Sequence, residues 1–338
     1  MDSNVPKNTN SHNLFKLGVE REKVGISIKN LLKQELLLIL NSDRHKFNLQ
    51  IEPKSFISIL ENKINLPNFR KHSAKQKQNI TYPPAAKFVP IVYSCPIGLL
   101  LAAYQRHTPQ IIMQQIKQLL SVEGANINLE PLLILIRIVD RGWINFYFDS
   151  KFMAAWLERS LIWHEQKITG DRQLNQKICS LENSAVDLFP VQYIHARCCS
   201  LLNLAVRENL ISISVDDLWI VKPIATKAFT WLDEQNNLWF KETTERNLMQ
   251  QLSVVADFWV KEISDREDRK ESDRQWTKLA LNLSQATAVF LADCRFLGEV
   301  KEKYPQLAIA RLGLISLVQL WLQRILKDKF AVAAPVSL

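Results

Sequence analysis

The sequence predicts an α+β N-terminal domain followed by an all-α helical-bundle domain. Three observations support this fold class. Only 8 of the 338 residues are glycine, about a third of the usual share, and Leu, Gln, Lys and Glu, which favour helices, are abundant. The strongest β pattern lies between residues 126 and 148. From residue 191 onward, apolar residues recur at helical spacing.

The chain opens with a polar segment. Residues 1–25 begin with an Asn/Ser-rich stretch without an apolar core and are predicted to be a disordered tail. The α+β domain is then predicted over residues 26–166. Its first helix runs from Ser27 to Leu40, where leucines lie on one side behind the serine. Residues 63–87 contain basic residues and prolines but no acidic residue, which predicts an extended loop, either solvated or contacting phosphates.

The remaining elements of this domain alternate between strand and helix. Residues 88–93 predict a buried strand, and Thr108 with Pro109 is a typical start for a helix that continues to residue 120. Two apolar runs, 131–139 and 143–148, are joined by Asp-Arg-Gly, which predicts a β-hairpin. A helix is predicted over residues 151–166.

A polar linker is predicted over residues 167–188, and the helical domain over residues 189–338. One apolar stripe runs from Val191 to Ala205 and a second from Leu248 to Trp259, each with the spacing of a buried helix face. Residues 279–296 and 308–326 complete the predicted bundle. Everything after the linker is therefore predicted to be helical.

Charge and rare residues limit the possible functions. The formal net charge of +9 suits an anionic partner, either nucleic acid or an acidic protein, but also solubility alone. The closest two glycines are Gly18 and Gly25, so the chain has no glycine-rich phosphate-binding loop. The five cysteines have no C-x-x-C spacing, which favours buried thiols over disulfides or zinc. We therefore expect no cofactor and no metal.

The sequence also predicts where the protein resides. Residues 1–13 lack the apolar core of a secretory signal. The long uncharged stretch from Phe88 to Tyr104 is interrupted by Pro90 and Pro96 and is too short for a membrane-spanning helix. We expect a cytoplasmic protein without a membrane partner.

Residues 191–200, V-Q-Y-I-H-A-R-C-C-S, place an aromatic ring, an imidazole and a guanidinium beside the apolar stripe. This segment resembles V-Q-Y-A-H-A-R-x-x-S, which opens the C-terminal anticodon-binding (DALR) domain of arginyl-tRNA synthetases. Later segments resemble that domain in the same order: E-R-N-L-M-Q-Q-L at 245–252, F-L-A-D-C-R-F at 290–296, A-R-L-G-L at 310–314 and A-P-V-S-L at 334–338. The resemblance implies RNA contacts by Gln192, Tyr193, His195, Arg197, Arg295, Arg311 and Leu338.

The first domain resembles the N-terminal additional domain of the same enzymes. Residues 142–146, G-W-I-N-F, look like the G-F/Y-I-N-F hairpin with which that domain holds a D-loop base of the tRNA. The resemblance assigns this role to Trp143 and Asn145. The chemistry is suitable, because an aromatic face stacks on an unpaired base while an amide hydrogen-bonds its edge.

The catalytic part of a synthetase has no counterpart in this chain. In those enzymes a large nucleotide-binding domain separates the two modules, whereas here residues 167–188 are only a predicted linker. The sequence has no H-I-G-H-like pair and no K-M-S-K-S-like loop. The resemblance thus implies a non-catalytic protein whose partner is tRNA, arginine tRNA first, with a synthetase or another translation protein as a second kind of partner.

Several alternatives stay open at this point. The chain could be a regulatory protein-interaction module without RNA binding, or an arginine–tRNA ligase as whole-chain similarity would label it. His195 and Arg197 could pack against a neighbouring domain, Trp143 could be a core residue, and Arg295 and Arg311 could be structural. If both modules bind one tRNA, their cooperation is predicted to depend on the linker between them.

Overall fold

A computed structural model describes residues 14–19, 21, 24–42, 88–122, 132–139, 142–170, 187–214, 220–226, 228–264 and 269–337. The predicted basic loop, most of the predicted linker, residues 1–13, Cys179 and Leu338 lie outside these residues. We call residues 14–170 the α+β region and residues 187–337 the helical region.

The α+β region is built on an antiparallel sheet with the strand order β1-β3-β4-β2. Its described elements are β1 (Leu14–Val19), α1 (Ile28–Ser42), β2 (Phe88–Cys95), α2 (Ile97–Gln105), α3 (Pro109–Val122), β3 (Leu132–Val139), β4 (Trp143–Asp149) and α4 (Ser150–Gly170). One face of β4 packs against α4, where the rings of Phe148 and Phe152 stack at 4.7 Å. Both rings are fully buried.

Local sequence signals start these elements at the predicted places. The Ser27 hydroxyl accepts a hydrogen bond from the Asn30 backbone N–H at 3.0 Å, which satisfies one of the free donors at the start of α1. α3 begins at Pro109, as predicted. The hairpin of β3 and β4 is confirmed, with Val139 opposite Trp143. Gly142 adopts a φ of +86° at its turn, a conformation that glycine tolerates.

Two boundaries in this region differ from the prediction. β1 lies inside the predicted disordered tail, so the tail prediction is wrong for residues 14–19. These residues are ordered by pairing with β3, where Leu14 lies opposite Arg137 and Val19 opposite Leu132. α4 continues to Gly170, four residues into the predicted linker.

The helical region consists of long helices with one irregular insertion. Its described elements are α5 (Phe189–Arg207), β5 (Ile211–Ile213), β6 (Val221–Pro223), α6 (Thr243–Ser264), α7 (Arg269–Asp293), α8 (Glu299–Lys303), α9 (Pro305–Arg324) and a π-helical turn (Ile325–Lys329). The expectation that this part is entirely helical is wrong between α5 and α6. β5 and β6 pair antiparallel there, and Asp233 accepts backbone hydrogen bonds from Gln235 and Asn237.

α9 is the central helix of this region. Every residue from Ala308 to Leu322 is buried, as expected for a helix that is apolar on all sides. Together with the π-helical turn it is long and apolar enough to cross a membrane, but 83% of its most apolar window is buried inside the protein. This burial is what the core helix of a bundle shows.

The two regions pack directly against each other. α1 and β2 contact α6, and α4 contacts α9. The rings of Trp163 and Trp321 stack across this contact at 5.5 Å. Residues predicted to belong to separate modules therefore share one buried boundary.

Candidate nucleic-acid interface

α5 presents two exposed aromatic rings at its start. Pro190 lies in the first turn, where the missing N–H has no cost, and the Asp187 carboxylate accepts a hydrogen bond from the Phe189 N–H at 2.9 Å. Phe189 is 58% exposed and Tyr193 50% exposed, and their ring centroids lie 6.3 Å apart. Arg197, one turn further along the helix, is also exposed. We call Phe189, Tyr193 and Arg197 the α5 surface.

His195 lies on the opposite, buried face of α5. Its Nδ1 is 2.8 Å from the Pro335 carbonyl oxygen, and its Nε2 is 3.2 Å from the Gln319 amide nitrogen. Because a carbonyl only accepts, Nδ1 carries the proton and Nε2 accepts from the amide. Burial lowers the pKa of His195, so the ring is neutral at pH 7. The imidazole thus joins α5, α9 and the C-terminal segment inside the protein.

The C-terminal segment lies along the same end of α5. The Gln192 side-chain amide donates a hydrogen bond to the Ala333 carbonyl at 2.9 Å, and His195 holds Pro335 one turn further along. The Gln192 side-chain nitrogen is therefore bonded within the chain. These two contacts place residues 333–335 beside the α5 surface, and Leu338 lies beyond the described residues.

Arg295 and Arg311 occupy different environments. Arg311 is buried, and its Nε donates to a buried Glu245 carboxylate oxygen at 2.7 Å. One of its terminal nitrogens donates to the Arg295 carbonyl. The Arg295 side chain itself is exposed. The structure therefore places Arg311 in a buried ion pair and leaves Arg295 at the surface.

The hairpin holds Trp143 at the first position of β4. The Gly98 N–H donates to the Gly142 carbonyl at 2.9 Å, which ties the turn to the start of α2. A Cβ at Gly142 would lie 3.0 Å from the Leu99 backbone nitrogen, so only glycine allows this close approach. The Trp143 side chain next to it is partly exposed. A partly exposed indole beside a fixed turn is suited to stacking.

Asn145 lies two residues further along, on the same face of β4 as Trp143. Its side-chain oxygen accepts a hydrogen bond from the Ser94 hydroxyl at 2.7 Å, and its amide nitrogen lies 3.4 Å from the Tyr147 hydroxyl. The side chain is partly exposed. Ser94 therefore occupies the amide oxygen of Asn145, and the more weakly bonded N–H₂ remains as the available donor.

The predicted site residues thus fall into three groups. His195 and Arg311 are buried and engaged inside the protein, Gln192 is bonded to the C-terminal segment, and the remaining described residues have exposed or partly exposed side chains: Trp143, Asn145, Tyr193, Arg197 and Arg295. Phe189 was not predicted. Its spacing of four residues from Tyr193, which places two helix side chains together, is the signal that identifies it.

The described residues offer no evident metal or thiol chemistry. No three His, Cys, Asp or Glu side chains come together as a metal site within the described ranges. Cys95, Cys198, Cys199 and Cys294 are buried. Burial raises the pKa of the Cys95 thiol and of the Cys199 thiol to about 12, so both remain protonated at pH 7 and are poor nucleophiles.

Comparison with known proteins gives one partial similarity. No family model matches the chain, and no solved structure matches it. Over 129 residues the chain is 30% identical to an arginine–tRNA ligase of Gloeobacter violaceus. The matched stretch is 38% of this chain and 18% of the ligase, so the chain spans less than a fifth of that relative's length. Part of this chain is therefore similar to part of an arginine–tRNA ligase.

Proposed function

We propose that this chain is a non-catalytic tRNA-binding protein that resembles the tRNA-recognition modules of arginyl-tRNA synthetases. The hairpin with Trp143 and Asn145 contacts the D-loop side of the tRNA, and the α5 surface contacts the anticodon loop. Leu338 and the exposed Arg295 are further candidates for contacts to the same RNA. Arginine tRNA is the first candidate ligand, because the partial relative is an arginine–tRNA ligase.

The α5 surface is the observation that carries this proposal. Phe189 and Tyr193 are neighbouring exposed rings, and aromatic rings next to a guanidinium are typical of sites that stack unpaired bases and pair phosphates. The net charge of +9 favours a polyanion over a neutral partner. The bonds of Gln192 and His195 to residues 333–335 keep the C-terminal segment beside these rings.

The non-catalytic part of the proposal rests on the sequence. Neither an H-I-G-H-like pair nor a K-M-S-K-S-like loop occurs in it, and no phosphate-binding glycine loop is present to hold ATP. ATP-dependent charging of arginine tRNA by the purified protein would overturn this part of the proposal without affecting the RNA-binding part.

A mobility-shift titration tests RNA binding. Total tRNA is titrated with the protein at 50 mM and 200 mM salt, with Tyr193→Ala and Tyr304→Ala as matched variants. Tyr304 is 56% exposed but lies between α8 and α9, away from the α5 surface. We expect binding that weakens steeply with salt, about fivefold to a hundredfold lower affinity for Tyr193→Ala, and no change for Tyr304→Ala.

The same experiment separates the competing function. If the wild-type protein fails to shift tRNA at low salt, the proposal is wrong. Recovery of a partner protein from cell extract that resists nuclease treatment would then favour the protein-interaction module, whose contact would use the same exposed rings.

A further inference from the structure

A buried carboxylate of the helical region binds three groups of the α+β region. Asp257, on α6, is 3% exposed. One of its oxygens accepts hydrogen bonds from the Ser27 hydroxyl at 2.8 Å and from the Lys29 backbone N–H at 2.9 Å, and the other accepts from the Tyr93 hydroxyl at 2.6 Å. We call Asp257, Ser27, Lys29 and Tyr93 the Asp257 cluster.

The Asp257 cluster joins three elements that are distant in sequence. The Ser27 hydroxyl caps α1 by accepting from the Asn30 N–H and donates its own hydrogen bond to Asp257. The carboxylate thus completes the start of α1 from across the boundary. A negative charge at a helix N-terminus is favourable. Tyr93 comes from β2 in the sheet. Separation of the regions would exchange these bonds for bonds to water and would expose the apolar surface packed at the boundary, which is unfavourable.

Aromatic packing forms a second contact between the regions. Trp163, on α4, stacks on Trp321 and meets the edge of Trp259 at 6.2 Å. The Arg324 guanidinium lies 5.0 Å from the centre of the Trp163 ring, a cation–π distance. A third contact links Trp231 to Glu158, whose carboxylate accepts the indole N–H at 3.0 Å. The boundary therefore combines directional bonds with stacked rings.

From these contacts we infer that the α+β region and the helical region bind RNA as one preassembled unit whose geometry is set by the buried boundary and not by residues 171–186. This inference rests on the proposed function. It replaces the expectation of two modules that cooperate only when a linker permits it. The hairpin and the α5 surface are then held at one separation, so an RNA must present both recognised features at that separation.

Holding the two surfaces together changes how the RNA binds the second surface once it has bound the first. When two surfaces are held together, binding at one raises the effective concentration of the other, and this gain is lost if they separate. A covalent connection between the regions is then unnecessary for full affinity. Cutting the chain between them should leave both the assembly and the RNA affinity intact.

A nicking experiment tests this inference. A site for a specific protease is inserted between residues 171 and 186 of the full chain, and the cut protein is analysed by size exclusion and by tRNA titration. We expect the two fragments to elute together and the dissociation constant for tRNA to change by less than twofold. Asp257→Ala should release the fragments after cutting and weaken tRNA binding at least tenfold, whereas uncut Asp257→Ala keeps its helical circular dichroism.

Asp257→Asn is the matched variant, because its amide oxygen still accepts from Ser27 and Lys29 while its N–H₂ donates to the Tyr93 oxygen. Its cut fragments should stay together. Separation of the wild-type fragments, with normal tRNA binding by the uncut protein, would overturn the inference and leave the proposed function standing. Absence of tRNA binding by the uncut wild-type protein would overturn both.

Discussion

Two buried carboxylates of this protein are stabilised in different ways. Inside the helical region, Glu245 is paired with the guanidinium of Arg311 at 2.7 Å. At the boundary between the regions, Asp257 binds two hydroxyls and a backbone N–H. The first carboxylate has its opposite charge within its own region, whereas the second depends on donors from the other region. The Glu245–Arg311 pair therefore stabilises the helical region alone, whereas the bonds of Asp257 stabilise the contact between the two regions.

Removal of the internal cation should have the largest effect on stability. Arg311→Ala leaves the Glu245 carboxylate buried without its partner, which typically costs about 3–5 kcal/mol. Urea unfolding followed by circular dichroism measures the free energy of unfolding. Arg295→Ala is the control, since this arginine is exposed and its replacement should change stability by no more than about 0.5 kcal/mol. Equal effects of the two substitutions would show that the buried pair is not stabilising.

The boundary carboxylate, Asp257, should instead make the free energy of unfolding depend on pH. Burial raises the pKa of Asp257 to about 6, although its three donors and Lys29 favour the ionised form. An unfolded Asp has a pKa near 3.9. Because the folded pKa is the higher one, the folded state holds this proton more tightly. The contribution of this proton to the free energy of unfolding is therefore full below pH 4. It is lost as the pH rises through 6, and the total loss is about 3 kcal/mol.

Asp257→Asn isolates this effect, because its side chain does not titrate. The free energy of unfolding is measured for both proteins from pH 4 to pH 7. As the pH rises, the wild type should lose stability relative to Asp257→Asn. Other carboxylates titrate equally in both proteins and cancel in this difference. A difference that stays constant over this pH range would show that the pKa of Asp257 is the same in the folded and the unfolded protein.

A smaller effect is expected where the core of the helical region meets the boundary. A Cβ at Gly313 would clash with the Trp231 ring, whose N–H is bonded to Glu158 across the boundary. Gly313→Ala should cost about 1–3 kcal/mol by overpacking and shift the indole fluorescence. Gly25→Ala, at an open position, should be close to neutral. A neutral Gly313→Ala would mean that the tryptophan moves without loss of its bond.

Sequence patterns could predict the local elements but not the contacts between them. The periodicity of α1 and the Asp-Arg-Gly turn of the hairpin each depend on neighbouring residues, and both appear where expected. In the Asp257 cluster, Asp257 is bonded to Tyr93 and Ser27, which lie 164 and 230 positions earlier in the sequence. No local pattern indicates such pairing. β1 was missed for the same reason, since its partner strand lies more than a hundred residues away.

The candidate site shows the same limit, although two residues carried a usable signal. His195 follows Val191 by four residues and precedes Cys198 by three, a spacing that places it on the buried stripe. Arg311 lies in a helix that is apolar on every side, where a charge requires a buried partner. The exposure of Tyr193 and Phe189 could not be predicted, because it depends on where α9 and residues 333–335 pack.

The α5 surface should be the region whose loss matters least for stability. Phe189→Ala removes a ring that is mostly in solvent, so the unfolding free energy should change by no more than about 0.5 kcal/mol. Its tRNA affinity should nevertheless fall by about 1–3 kcal/mol if the ring stacks on a base. Fluorescence anisotropy with labelled tRNA and urea unfolding give the two quantities. Arg311→Ala shows the opposite pattern at temperatures where it remains folded, namely a large loss of stability with tRNA affinity retained. Loss of tRNA affinity in both variants would show that RNA binding depends on the packing of the core as a whole and not on the exposed face of α5 alone.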